Sequence, residues 1–229
     1  MSAAAGARRE FGDGPLARAA AAIYTLLVTE LLFLLASAPT LALVVLLDRD
    51  ASNIPLAAVC ALPVGPAWSA ALYAWQRRGR SLTELRPVPA FWRGYRANAV
   101  DALKIWAPWL AGVAVVGTVL THLGTAGIPG WWAVLLGLVA LLSALWMTNA
   151  LVIASLFSFR TSDTARLAAY FLVRCGRGTV GHVCVLLAAA ALTVALSEAV
   201  PLLLAPVLAA GVLLNCRPMI NEIQEKFVA

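Results

Sequence analysis

The stretch Trp131-Trp132-Ala133-Val134-Leu135-Leu136-Gly137-Leu138-Val139-Ala140-Leu141-Leu142 continues through Ser143, Trp146, Thr148 and Asn149 to Phe157 without meeting one charged residue. A run of this length and character suits a helix in lipid, where no charge needs solvation and every backbone hydrogen bond closes within the segment. The rest of the chain repeats the pattern. Hydrophobic residues make up 62% of the 229 positions and charged residues 12%, with a mean hydropathy of +0.87. A soluble domain holds about one quarter charged residues, and so large an apolar excess cannot fit inside one soluble core. Taken with about 20 residues per crossing, the length admits six or seven spans.

Working outward from this run, apolar segments lie at about 19–47, 54–75, 105–122, 131–157, 183–196 and 200–214. The expected fold is an all-α, polytopic membrane bundle of six transmembrane helices in a single domain, with two cytoplasmic amphipathic helices. The first run is longer than a bilayer requires, so tilt or a bend at Pro39 is expected. Span two contains Pro63-Val64-Gly65-Pro66, whose two prolines remove two backbone donors and should bend or break it. Gly65, Ala67, Ser69 and Ala71 offer it small residues for close packing. In a transporter such a break can line a binding site; elsewhere it is only a kink. Val183 to Leu214 reads as a helical hairpin turning near Ser197, Glu198 and Pro201, with a single kinked helix as the alternative.

Charge sets the orientation. With six spans, only Arg49 among the 17 Lys and Arg residues falls on the outer side. This positive-inside pattern places both termini in the cytoplasm. It also accounts for the net charge of +6 and the pI near 9.6 without nucleic acid. Trp131 and Trp132 suit the outer interface, and Tyr73, Trp75 and Trp106 the inner one. Arg8-Arg9-Glu10-Phe11 resembles a twin-arginine core and Ala36-Ser37-Ala38 a signal-peptidase site. The apolar run continues through the latter, however, and Pro39 follows it directly, so an uncleaved first span is expected.

The inner segments are the only sizeable soluble material. Phe91, Trp92, Tyr95, Ala99, Ala102, Leu103 and Trp106 fall on one helical face, with Arg93, Arg96 and Lys104 elsewhere. Ser162-Asp163 can cap a second helix carrying Leu167, Ala168, Phe171 and Leu172, with Arg166 and Arg174 on it and Gly176 and Gly178 ending it. Such helices lie in the headgroup layer or dock a partner. The face formed by Phe91, Trp92, Arg93, Tyr95, Arg96, Arg166 and Arg174 is therefore a candidate lipid- or partner-docking surface.

Chemistry is sparse. There is no HExxH, GxSxG or Walker A motif, and Cys60, Cys175, Cys184 and Cys216 have no metal-ligand spacing. His122 and His182 fall at opposite membrane faces and cannot share a metal or a proton. No catalytic group, cofactor or metal is expected. Glu30 is the one acid inside a span, about 16 Å from its inner end, where an ionised carboxylate costs ~2.5–3.5 kcal/mol on insertion scales. Thr148 and Asn149 lie at a comparable depth. Together they read as a mid-membrane polar site for an ion or proton, or as a packing interaction that fixes the helices.

Several short runs carry a resemblance. Phe11-Gly12-Asp13-Gly14-Pro15-Leu16-Ala17-Arg18 leads into a first span ending around Ser37-Ala38-Pro39-Thr40. Pro63-Val64-Gly65-Pro66-Ala67-Trp68-Ser69-Ala70-Ala71-Leu72-Tyr73 and Phe91-Trp92-Arg93-Gly94-Tyr95-Arg96-Ala97-Asn98 follow. With Leu214-Asn215-Cys216-Arg217-Pro218 near the end, the chain resembles the YesL-like family of bacterial integral membrane proteins. Members tend to carry Asn near the position of Thr29-Glu30, where this chain departs from them. The resemblance implies a bacterial cell-membrane protein with an accessory role in carbohydrate uptake by an ABC importer, whose permease or ATPase subunits would be its partners. It supplies no site residues. The alternative function is a small-solute transporter or channel using Glu30.

Overall fold

The computed structural model describes residues 15–47, 50–77, 86–197 and 199–227. Arg8, Arg9, the run Phe11-Gly12-Asp13-Gly14, Arg49 and Glu198, all named above, lie outside the described residues, as do the basic residues Arg78 and Arg80. Those described fold into helices α1 (Pro15–Ala36), α2 (Ala38–Leu46), α3 (Ile54–Cys60), α4 (Val64–Gln76), α5 (Pro87–His122), α6 (Trp131–Leu156), α7 (Thr161–Arg174), α8 (Gly176–Ala195), α9 (Ala199–Leu203) and α10 (Ala205–Phe227). A single 3₁₀ turn, Ala51–Asn53, precedes α3. Among the described residues, four helices are long and apolar enough to cross a membrane: Leu16–Ala36, α5, α6 and α8. A fifth crossing is completed if Ala51–Cys60 and α4, bent by 46° at their junction, form one span.

That junction is where the prolines act. Pro66 has no amide proton to donate to Leu62, and Val64 donates to Ala61 rather than to Cys60. Lipid cannot satisfy the carbonyls released by such a break, so protein must. The Thr40 hydroxyl of α2 donates to the Cys60 carbonyl at 2.6 Å, and the Trp106 indole of α5 donates to the Ala61 carbonyl at 2.9 Å. Gly65 makes the second bond reachable. A Cβ there would sit 2.4 Å from Trp106 Cγ and 2.9 Å from its Cβ.

α4 is the central post of the bundle and packs against α1, α5, α6 and α10. The side chains it buries are mostly small: Ala67, Ser69, Ala70, Ala71 and Ala74 beside Leu72. Gly94 of α5 lies against Tyr73, where a Cβ would be 2.8 Å from the ring. Small residues give such close approach where hydrophobic exclusion from water is absent. Across from α4, Asn98 of α5 donates to the Ser155 carbonyl of α6 at 2.8 Å, and Ser155 donates to Ser69 of α4 at 2.9 Å.

Three expectations change. The segment Phe91–Trp106 is not a separate amphipathic helix, because it continues unbroken into the span at 105–122 as the 36-residue α5, about 54 Å long. Pro108 sits within it, but nothing interrupts the helix between Lys104 and Ile105. Gly176 follows the end of the inner helix as expected, but Gly178 lies inside the next helix and does not help to end this one. α7 stops at Arg174, and α8 starts at Gly176 and carries Gly178 and His182 in its first turns. The cause is packing: a Cβ at Gly178 would lie 2.9 Å from the Asn215 carbonyl oxygen of α10, and one at Gly181 2.6 Å from the Asn215 side chain. Finally, Ser162-Asp163 is not the cap of α7. Arg160 holds that position without a side-chain bond, and Asp163 sits in the first turn, favourably placed for the helix dipole.

Beyond α8 the chain folds back. Gly178 and Gly181 meet Asn215, whereas Val185 meets Gly211, so α8 and α10 run antiparallel. The hairpin reading of 183–214 describes this packing, and the single kinked helix does not.

Packing is uneven along the bundle axis. In α6 every residue from Asn149 to Ser155 is buried, whereas Trp131, Val134, Leu138 and Val139 are exposed. The main core joins that end of α6 to Leu72, Ala102, Phe171, Met219 and Ile223.

Replacing Trp106 with Phe should cost about 0.5–1 kcal/mol, since the Ala61 carbonyl keeps the Val64 amide, whereas replacing Thr40 with Val should cost about 1–2 kcal/mol by leaving the Cys60 carbonyl without its donor. Gly65→Ala should cost a similar amount through overlap with Trp106. Gly137→Ala, with open space around it, should be neutral. Thermal denaturation of the detergent-solubilised protein, followed by size-exclusion chromatography, checks all four.

Candidate functional site

Glu30, Thr148 and Asn149 do not form one site. The Thr148 hydroxyl donates to Ala144 of its own helix at 2.8 Å. The Asn149 amide reaches the Ala168 carbonyl of α7 at 3.5 Å, and its oxygen faces Cys216 Sγ at 4.0 Å. Neither touches Glu30, whose two carboxylate oxygens are buried without a hydrogen-bond partner. The reason is helix choice: α1 lies against α4, α5 and α10 rather than along α6. Thr29 on the same helix and Ser37 at the junction of α1 and α2 also have buried hydroxyls with no partner.

The docking face also divides. Phe91 is fully buried with Leu32, Phe33, Ala67, Ala70, Ala71 and Ala74, so it holds α5 to α1 and α4 and is unavailable for docking. Gly94 is what lets the helices close over it. Trp92 is exposed and Tyr95 half-buried, their rings 5.7 Å apart. Arg93, Arg96, Arg166 and Arg174 are all exposed.

They belong to a larger feature. Every described basic residue is exposed: Arg18, Arg77, Arg86, Arg93, Arg96, Lys104, Arg160, Arg166, Arg174, Arg177, Arg217 and Lys226. Apart from Arg18 on α1, they sit at the end of α4, the first half of α5, α7 with its approaches, the start of α8 and the far half of α10. This is the tightly packed end of the bundle. Two local ion pairs temper it, Lys104 with Asp101 at 2.8 Å and Lys226 with Glu222 at 2.7 Å. The second pair lowers the Glu222 pKa, chiefly by hydrogen bonding from Lys226. Both are solvated pairs of the kind that contribute little to stability.

Folding also joins residues that sequence spacing leaves apart. His182 of α8 is 2% exposed, and its Nε2 lies 3.4 Å from Cys216 Sγ of α10. With Asn149 on the other side of the thiol, three residue types of a nucleophilic Cys–His–Asn set meet. Their order differs from a catalytic chain, in which the third residue orients the base. Here Asn149 faces the sulfur, and His182 Nδ1 has no hydrogen-bond partner. His182 is far from His122, whose ring bonds to Thr118 at the opposite end of α5. The one sequence cue to the His182–Cys216 pairing was the hairpin, which brings the two helices together without fixing their register.

Two apolar hollows flank this framework. A groove of about 560 Å³ between α3 and α5 is lined by Pro55, Val59, Leu62, Leu110 and Val115 among others. A crevice of about 260 Å³ lies between α4, α5, α6, α8 and α10.

No protein-family model matches the chain, and neither the curated proteins nor the solved structures include a significant match. The YesL-like resemblance therefore rests on the short runs quoted above.

If the Glu30 carboxylate has no partner, Glu30→Leu should raise thermal stability by about 1–2 kcal/mol. A lower unfolding temperature would reveal a partner or a bound cation.

Proposed function

We propose that this chain is a six-span membrane protein, termini inside, whose charged end serves as a cytoplasmic docking platform. The sixth span is α9 with the first half of α10. This reading makes α8 and α10 two crossings and leaves α5 and α7 to present their arginines at the inner surface. The observation that carries it is the coincidence of two properties at one end of the bundle. The buried core and the exposed basic residues are both concentrated there, so the cationic surface is held on a rigid base. A surface needed only to anchor the chain to anionic lipid would work without that rigidity.

The partner proposed is a permease or ATPase subunit of a carbohydrate ABC importer, in an accessory or scaffold role. Support for this comes from the YesL-like runs alone, and the assignment to the bacterial cell membrane has the same basis. Purification of the full chain in mild detergent should recover importer subunits. Combined Arg93→Glu, Arg96→Glu, Arg166→Glu and Arg174→Glu substitutions should reduce that recovery at least tenfold while leaving membrane yield unchanged. Recovery of the chain alone, with sugar uptake unaffected by its deletion, would count against the role.

A second reading, a small-solute transporter or channel, is favoured by one observation: the buried, partnerless carboxylate of Glu30. Under it, Glu30→Gln abolishes the cellular activity at unchanged membrane yield. An unaltered phenotype would remove it.

A further inference from the structure

A third hollow, of about 340 Å³, lies between the end of α4 and the second half of α10, and its lining is chiefly polar. Trp75 and Gln76 form one wall, and Leu214, Arg217, Ile220 and Asn221 of α10 form the other. Sequence fixes its level. Arg77 and Arg217 are the first charged residues that α4 and α10 meet on leaving the apolar part of the bundle, so the hollow lies where hydrocarbon gives way to headgroups. Among the described residues, Arg217 is the only charged side chain in the lining. Among them too, no hydrogen bond or ion pair occupies the side chains of Gln76, Arg217 and Asn221. Arg77, next to Gln76, is turned onto the Tyr73 ring, 4.9 Å from its centroid. The nearby acids stay outside: Glu222 pairs with Lys226 at 2.7 Å, and Glu225 does not line the hollow. The carboxyl end of α4 contributes about half a negative charge, less than the full positive charge of Arg217.

We propose that this hollow holds the headgroup of an anionic phospholipid, its phosphate on Arg217 and its hydroxyls on the amides of Gln76 and Asn221. A guanidinium presents a fork of N–H donors that matches two oxygens of a phosphate. An amide side chain both donates and accepts, as a hydroxyl does, so a polyol head such as that of phosphatidylglycerol is satisfied in both senses. The lining offers no carboxylate to the ammonium group of a zwitterionic lipid. A lipid is favoured over a soluble phosphate by what adjoins the hollow. Val207, Leu214, Arg217 and Asn221 follow one another at the spacing of a single helical face. Val207 and Leu214 on it are 44% and 53% exposed. That face is therefore apolar along the bilayer and polar at its edge, in the order of an acyl chain and its head. The site lies apart from Arg93, Arg96, Arg166 and Arg174. Only its assignment to the inner leaflet rests on the termini-inside orientation proposed above.

Native mass spectrometry of the full chain in detergent tests this in either orientation, by titration with phosphatidylglycerol and phosphatidylcholine of the same acyl chains. The first phosphatidylglycerol should bind about tenfold more tightly than the first phosphatidylcholine, the difference that one charge-assisted hydrogen bond makes. Arg217→Gln should remove that preference, whereas Lys104→Gln, on α5 outside the hollow, should leave it intact. Asn221→Asp sets a carboxylate one turn from Arg217 and should also remove the preference, and it serves where Arg217→Gln fails to fold. Glycerol 3-phosphate, which has the phosphate without acyl chains, should not displace the lipid. Equal affinity for the two lipids would overturn the inference, as would a preference that survives in either α10 variant or is lost in Lys104→Gln. So would displacement by glycerol 3-phosphate, since the hollow would then take a soluble phosphate.

Discussion

The interruption of the second span between Cys60 and Val64 governs the arrangement around it. Prolines at 63 and 66 prevent a continuous hydrogen-bond ladder, and in hydrocarbon the released carbonyls need donors from the protein. Thr40 and Trp106 provide them, from helices that precede and follow. Each bond fixes a neighbour: Thr40 brings α2 onto α3, and Trp106 sets the depth of α5 against α4. Gly65 is the condition for the second, since any Cβ would collide with the indole. With the Cys60 and Ala61 carbonyls occupied, the break acts as a structural joint.

From that joint α4 descends as a stripe of small residues, and the bundle closes around it. Serines 69 and 155 and Asn98 tie α4, α5 and α6 at one level. Beyond this level the helices stay packed and carry the arginines. On the other side they separate, and the apolar groove opens between α3 and α5. The protein thus has one firm, charged end and one looser, apolar end, a division that hydropathy averaged over a helix does not reveal.

Much of the framework was legible in the sequence. Uncharged runs reported the long helices, Pro63-Val64-Gly65-Pro66 reported the break, and the basic loops reported which ends cluster. What escaped was interhelical register. Phe91 has the spacing of a surface face, yet it is buried because Gly94 lets α5 press against Tyr73, and an amphipathic stripe looks the same whether lipid or protein covers it. The continuity of α5 past Lys104 escaped because a charged turn marks a change of surroundings, not a change of backbone. The proposed meeting of Glu30 with Thr148 and Asn149 failed for a related reason: equal depth does not specify neighbouring helices. Conversely, His182 and Cys216 lie on facing helices of the hairpin, and only the close approach at Gly178 and Gly181 sets them side by side.

The central claim is that the firm, basic end faces the cytoplasm after an even number of crossings. Labelling single cysteines with a membrane-impermeant maleimide in intact cells, with the four native cysteines replaced, tests it most directly. Ala126→Cys, in the turn between α5 and α6, should label from outside, and Lys226→Cys near the end of α10 should label only after permeabilisation. Labelling of Lys226→Cys in intact cells, or protection of Ala126→Cys, would contradict the account.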